Sequence, residues 1–303
     1  MKTILITGGT GTVGTAFIEK YYHKYKFYNI SRSEKHIAEL YQNFPNVDSY
    51  VGDILNLDRL INIFETVKPD MVIHSAALKH INLAEENPTS AVEINVRGSL
   101  NVIKASIRAQ IPITVGVSTD KACDPDSVYG YSKRMMEKMF MEHHNEKTKF
   151  VCTRFANVAA SNGSVIPFWK NLIDQNKPLK LTDPKMNRLM FSKESSAKLI
   201  HDAYRFAETM EDSFILSNIM ETVNMLDLAK VMSDKEVEIV GLRPGEKLNE
   251  TLVSQKELLY TRTFDDLVFI FNRIQPPQHN LLKEHSSLNA KVMSKTKLKK
   301  LIK

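Results

Sequence analysis

Tyr129 and Lys133 stand four residues apart in Tyr129-Gly130-Tyr131-Ser132-Lys133. On a helix that spacing puts both side chains on one face, a turn apart. An ammonium beside a phenol favours the ionised form, which would make Tyr129 an acid/base near neutral pH. Just upstream, Ser118-Thr119-Asp120-Lys121 closes the apolar run Ile111 to Val117 and adds a second acid/base pair, Asp120 and Lys121. Such a concentration of ionisable groups points to chemistry with several proton transfers. Taken alone, Tyr-x-x-x-Lys is equally the face of an amphipathic helix after a surface turn, so its meaning depends on the elements that position it.

Those elements begin at the N-terminus. Lys2 to Thr7 is a β-rich run that opens directly into Gly8-Gly9-Thr10-Gly11-Thr12-Val13-Gly14, and a helical pattern follows from Thr15 to Tyr25. Glycines between a strand and a helix let backbone amides approach a pyrophosphate, whose charge the helix N-terminus favours. Thr7, Gly8, Gly11, Thr12, Val13 and Gly14 are therefore the expected dinucleotide contacts of this turn. The second apolar run, Phe27 to Ile30, ends in Ser31-Arg32-Ser33. A hydroxyl and a guanidinium there, in place of an acidic residue, suit a ribose 2′-phosphate and favour NADP over NAD. Asp53, followed by Ile54, is placed to accept from the adenine amino group. Ala76 and Ala77 close the run Asp70 to Ala77 and are small enough to let the cofactor backbone lie close. Lys79 and His80 fall just beyond that strand's carboxyl end, where open α/β sheets bind ligands. A helical stretch from Glu93 to Ala109, carrying Asn95, leads to the strand that delivers Ser118 to Lys121. Strand and helix signals alternate five times without a linker, which predicts one doubly wound parallel sheet.

Composition narrows the class. The 303 residues are 25% charged and 43% hydrophobic, enough for a full core. The net charge of +6 comes from 41 basic and 35 acidic residues, part of it in the tail Lys295 to Lys303. No basic-aromatic stripe argues for nucleic acid, and anionic small ligands fit the balance. Cys123 and Cys152 are too few for a disulfide scaffold, and zinc-type Cys/His spacing is missing, so no metal is expected. No apolar run approaches a bilayer span and no signal-peptide pattern opens the chain. The expectation is a cytoplasmic protein with no membrane partner.

The motifs TGGTGTVG, AALKH, STDKA, YGYSK, RFANV, GSVIP and LRPGEKLNE, in order over roughly residues 1 to 255, together resemble the extended short-chain dehydrogenase/reductase superfamily. Within it they are similar to the inverting UDP-N-acetylglucosamine 4,6-dehydratases of the polysaccharide-biosynthesis group. The resemblance implies an α/β, Rossmann-type doubly wound parallel sheet with a smaller carboxyl-terminal substrate-binding domain. The expected division is 1–160 plus about 190–218 for NADP, 161–189 plus 219–290 for the nucleotide sugar, and a basic tail over 291–303. It further implies a UDP-sugar contacted by Lys79, His80, Asn157, Val165, Arg188, Arg243 and Glu246, with Arg243 on a uridine phosphate and Glu246 on the uridine ribose. A segment of the family usually written with Thr and Phe reads Met186-Asn187-Arg188-Leu189-Met190 here, a mild departure.

For catalysis the resemblance implies that Tyr129, helped by Lys133, takes the O4 proton as hydride leaves C4 of the sugar for NADP⁺. Lys121 is then the base at C5, Asp120 the acid at the C6 oxygen, and Thr119 an orienting hydroxyl. Hydride returns to C6, so the cofactor ends as it began. Retaining relatives are typically membrane-anchored with another residue at the Tyr129 position, so this chain fits inversion at C5. A homo-oligomer, dimer or hexamer, is the family expectation. The rival readings are a nucleotide-sugar 4-epimerase, which needs no pair like Asp120–Lys121, and a non-catalytic NADP-sensing regulator.

Overall fold

A computed structural model describes residues 1–302. The chain runs β1 (Thr3–Thr7), α1 (Thr12–Tyr21), β2 (Lys26–Ser31), α2 (Glu34–Asn43), β3 (Val47–Val51), α3 (Leu57–Val67) and β4 (Met71–His74). Next come α4 (Ile81–Glu86), α5 (Pro88–Ala91), a π-helical turn over Val92–Arg97, α6 (Gly98–Arg108), β5 (Ile113–Thr119), α7 (Val128–His143), β6 (Lys149–Phe155) and β7 (Asn157–Val158). The remainder is α8 (Val165–Asp174), β8 (Leu179–Leu181), β9 (Asn187–Phe191), α9 (Lys193–Thr209), β10 (Ile215–Asn218), β11 (Thr222–Asn224), α10 (Met225–Met232) and β12 (Val237–Ile239). It closes with β13 (Thr251–Val253), β14 (Thr261–Phe264), β15 (Leu267–Ile270), β16 (His285–Ser286) and α11 (Lys295–Leu301).

The main sheet has the order β14-β15-β10-β6-β5-β4-β1-β2-β3. Its strands from β3 to β10 pair in parallel, and β15 and β14 add antiparallel at the edge. Reading 3-2-1-4-5-6, this is the doubly wound Rossmann order, with the ligand crevice expected outside the carboxyl ends of β1 and β4 where the order reverses. Burial on both faces explains why β1, β4 and β5 read as apolar runs rather than alternating ones. Phe17, Ile73, Val115 and Leu199 are among the buried residues that pack α1 and α9 on one face of the sheet. Leu60, Phe64, Val72 and Val102 do the same for α3 and α6 on the other.

A smaller region follows β6. It holds the sheets β11-β9-β7 and β12-β8 and its own core around the fully buried Trp169, with Leu172, Leu179, Leu181 and Leu228. Leu298 of the basic tail is buried there too, so the last helix docks through its apolar side. Residues 261–270, within the segment expected in this smaller region, instead supply β14 and β15 of the main sheet. The helix after β11 starts at Met225, because β-branched Thr222 and Val223 pair with β9 and Asn224 Oδ1 caps the helix by accepting from the amides of Leu226 and Asp227. The helix expected over 93–109 is present, with π-helical geometry over Val92–Arg97 running directly into α6.

Candidate active site

The first wall of the cleft is the turn after β1. Gly8 sits at φ +74, and a Cβ there would come within 2.9 Å of the Ala76 backbone at the end of β4. Only a glycine lets these two neighbouring strand ends converge. The first turn of α1 has Gly11 at its N-cap and no side-chain acceptor for its amides, and Thr12 and Val13 line the cleft. Free amides, a positive helix end and small residues opposite fit a dinucleotide pyrophosphate. The cleft has a volume of about 620 Å³.

Most residues expected to touch a cofactor line this cleft: Gly8, Gly11, Ser31, Arg32, Asp53, Ile54, Ala76, Ala77 and Lys79 among them. Ser31 is buried and joined by its hydroxyl to Asn29 Oδ1 (2.9 Å) and Thr10 Oγ1 (3.1 Å). Arg32 and Asp53 face each other at 3.8 Å, an exposed pair across the expected adenosine end. Two expected contacts lie elsewhere. Thr7 is fully buried behind the turn with Oγ1 on His74 Nδ1 at 2.8 Å, and Gly14 packs against the Gly9 backbone. Both shape the turn without lining the cleft. His74 itself is held near pKa 3 by burial and by the Lys133 charge, so it is a neutral bridge between Thr7 and Ser99.

The second wall is built where β5 ends. Thr119 caps a 3₁₀ turn over Asp120–Ala122. Its hydroxyl also donates to Asp120 Oδ1 at 3.0 Å. Gly130 then brings the start of α7 down on this turn: a Cβ there would stand 2.4 Å from the Lys121 carbonyl. Ser127 Oγ caps α7 by accepting from the Gly130 amide at 3.1 Å. Asn95 clamps the same place, donating to Ser132 Oγ at 3.0 Å and exchanging bonds with the Leu78 backbone. Thr119, Asp120, Lys121, Tyr129 and Lys133 therefore all line the cleft.

Electrostatics inside this group departs from the sequence reading in two respects: Tyr129 is not drawn toward neutral pH, and the cation that favours its phenolate is not Lys133. Tyr129 is raised to about pKa 12, first by burial and then by Asp120, while Lys121 and a Thr119 hydrogen bond pull it down. The cation that favours the phenolate is thus Lys121. Lys133 is deeply buried, runs along its own helix to Met136 Sδ (3.1 Å), and is lowered to about 8 by burial against the opposing effect of Cys152 and Glu137. Helical spacing placed Tyr129 and Lys133 on one face; the direction of the lysine chain was a packing outcome the spacing does not contain.

Lys121 Nζ lies 3.1 Å from Asp120 Oδ1 and 3.4 Å from Glu250 Oε1. Burial would lower this ammonium, but the two carboxylates overcome it and hold the group above the usual lysine range, against a smaller opposing effect of Arg188. Asp120 is 1% exposed, and its Oδ2 has no hydrogen-bond partner among the described residues. A buried carboxylate oxygen without a donor is costly, and here it belongs to a residue of the cleft wall.

The substrate side divides as follows. Asn157, Lys79, His80 and Glu246 line the cleft. Lys79 Nζ donates to the Asn162 carbonyl at 2.6 Å, and the Asn162 amide donates to Thr12 Oγ1 at 3.0 Å, so the Ser161–Ser164 loop crosses the cleft. Val165 starts α8 just outside the wall, while Gly163 and Ser164 before it are in the wall. Arg188 is buried and donates to the carbonyls of Asn187, Lys247 and Leu248. Its place is to fasten the segment that carries Glu246 and Glu250. Arg243 is exposed and outside the cleft, with its amide on Glu246 Oε2 at 3.1 Å. Glu250 was the residue missed: it ends LRPGEKLNE, but nothing in that string says that its carboxylate returns to Lys121. Among the described residues no cluster of His, Cys, Asp and Glu could hold a metal ion, and no helix is long and apolar enough to cross a membrane.

Comparison with known proteins decides the family. The model of the family described as "Polysaccharide biosynthesis protein" matches residues 4–272. The chain belongs to this polysaccharide biosynthesis protein family. A UDP-N-acetylglucosamine 4,6-dehydratase (inverting) of Campylobacter jejuni is 35% identical over 276 residues, covering 88% of this chain and 81% of the relative. A UDP-glucose 4-epimerase of Rickettsia bellii is also 35% identical, over 85% of this chain and 79% of its own length. The X-ray structure of Pen from Bacillus thuringiensis superimposes with a TM-score of 0.90 at 32% identity, covering 99% of this chain and 98% of that one. Both the dehydratase and the epimerase relatives are named for reactions on UDP-sugars, which supports a nucleotide-sugar-modifying enzyme for this family member.

Proposed function

We propose that the protein is a UDP-N-acetylglucosamine 4,6-dehydratase that inverts C5 and uses NADP. The observation that carries this reading is the buried Asp120–Lys121 pair beside Tyr129, with Asp120 Oδ2 unpartnered in the cleft wall. A bound nicotinamide dinucleotide supplies a reversible acceptor for hydride. Tyr129 removes the O4 proton, assisted by the positive charge of Lys121 and by Thr119. The C4 ketone acidifies the C5–H, which Lys121 removes as a neutral amine. Asp120 in its protonated form donates to the leaving C6 oxygen, which departs as water. The states those two steps require are one proton transfer away from the ion pair seen, Lys121 Nζ to Asp120 Oδ1 across 3.1 Å. Elimination returns the pair to its starting charges; hydride then returns to C6, a solvent-exchangeable proton is delivered to C5, and the O4 proton held by Tyr129 passes back to solvent, which closes the cycle.

For the cofactor, Ser31, Arg32 and Ser33 offer hydroxyls and a guanidinium at the cleft wall, which supports NADP over NAD. The N-acetyl sugar is drawn from the likeness to the Campylobacter enzyme. The second reading, a 4-epimerase, has the Rickettsia relative in its favour; it uses Tyr129 but gives the buried carboxyl–amine pair no task. Mass analysis of the product from UDP-N-acetylglucosamine separates them. Loss of one water is expected, whereas an isomer of unchanged mass would overturn the dehydratase reading.

A further inference from the structure

We propose that Glu250 is a third working member of the proton-transfer group: it stabilises Lys121 as that amine takes up the C5 proton. The proposal rests on the dehydratase reading and deepens it. Glu250 is 3% exposed and comes from a distant part of the chain, just before β13. Its backbone is fastened to Ser287 by two bonds, amide to Ser287 Oγ at 2.9 Å and carbonyl from the Ser287 amide at 2.8 Å. Arg188 clamps the carbonyls of Lys247 and Leu248 just before it. Among the described residues the side chain's one ionic partner is Lys121, at 3.4 Å. The fold thus delivers a second carboxylate to an ammonium that already has one.

One carboxylate suffices to neutralise a lysine; the second acquires a purpose in the reactive state. There Asp120 carries the proton meant for the C6 oxygen and has no charge to offer. When the C5–H bond breaks, its electron pair forms the C5–C6 double bond and expels the C6 oxygen. That oxygen leaves as water with Asp120's proton, while the C5 proton becomes the third proton of Lys121 Nζ. The positive charge appearing on Lys121 then faces Glu250 as its ionised neighbour. A fixed anion aimed at charge that develops during a step lowers the barrier to that step. The charged and titratable groups facing Lys121 are Asp120, Glu250, Arg188 and Tyr129, and of these Glu250 alone has no other task in the scheme. Burial raises the Glu250 carboxyl, with Lys121 opposing and Asp120 adding to the rise, so the two carboxylates share a single cation's field.

The test compares wild type, Glu250→Gln and Glu250→Asp as holoenzymes with UDP-N-acetylglucosamine in deuterated water, reading deuterium at C5 against pH. Absorbance of reduced nicotinamide reports C4 oxidation separately. In Glu250→Gln, C4 oxidation is expected to persist, and C5 exchange to fall about tenfold or more. Its acid limb should move to lower pH, because a lysine without that anion loses its proton sooner. Glu250→Asp should keep the limb in place and recover part of the rate. Exchange in Glu250→Gln at the wild-type rate would overturn the proposal, and so would a slower rate with an unmoved limb. If Glu250→Gln does not fold, Glu250→Asp decides: a displaced limb there also overturns it. No exchange by wild type would overturn the dehydratase reading and this proposal with it.

Discussion

Two buried charge clusters lie within a few residues of each other along β5 and α7, and they are built on opposite plans. In one, Arg154 is fully buried and donates to Glu137 through Nε (2.9 Å) and Nη2 (2.8 Å), and to Glu257 through Nη1 (2.8 Å) and Nη2 (2.9 Å). Arg134, Ser118 and Cys123 add further donors, so every carboxylate oxygen is occupied. In the other, Asp120, Lys121 and Glu250 also share one cation between two carboxylates, but Asp120 Oδ2 is left without a donor. Of the charged side chains in the two clusters, Asp120 and Lys121 of the second line the main cleft, whereas the first reaches it through the Ser118 hydroxyl. The contrast teaches that burial and ion pairing mark neither cluster as chemical; an unfilled bond on a residue of the cleft wall does.

That contrast can be broken most sharply from the open side. Lys121→Ala is expected to lower dehydration by about 10²–10⁴-fold while NADP still binds, checked by product formation and by cofactor titration. Loss of cofactor binding would place Lys121 in the wrong role. From the closed side, Arg154→Met leaves two carboxylates buried without their shared cation and should cost about 3–5 kcal/mol in denaturant unfolding. The pH profile of the folded enzyme should not move. A displaced profile would mean the two clusters are coupled and the contrast false.

Acid sharpens the same comparison at smaller amplitude. Burial alone would raise the Glu257 carboxyl, but Arg154 and Arg134 overcome it and hold the group down to about 2. A depressed folded-state value contributes stability above the unfolded value near 4.5, and that contribution fades as pH falls toward 2. The loss over this window should be on the order of 3 kcal/mol by pH-dependent unfolding, and Glu257→Gln should flatten it. The smallest effect expected is at the cofactor. Arg32→Ala should weaken NADP by about tenfold and leave NAD nearly unchanged, since Arg32 is exposed and partly engaged with Asp53. Equal weakening of both would remove the 2′-phosphate from the account.

The parts of the molecule legible in the sequence are those where local pattern and position coincide. The glycine turn after β1, the alternation of strands and helices, and the arrival of Asp120 and Lys121 at the end of β5 all follow from short-range periodicity. So does the shared helical face of Tyr129 and Lys133. What escaped was set by long-range packing. Lys133 turning to Met136, Arg188 clamping Lys247 and Leu248, and Arg243 standing off the cleft depend on how segments far apart in the chain meet. Glu250 is the clearest case, since its meaning comes entirely from a partner 129 residues away, 250 less 121. The edge strands β14 and β15 escaped for the same reason: their four-residue runs have no periodic signature that names their neighbour.

The central claim is that the pair beside Tyr129 removes a C5 proton and expels the C6 oxygen. NMR of the wild-type product formed from UDP-N-acetylglucosamine in deuterated water tests it most directly. The account predicts a C6 methyl group, deuterium at an inverted C5 and a carbonyl at C4. A retained C6 hydroxymethyl with protium at C5 and an inverted C4 would contradict it.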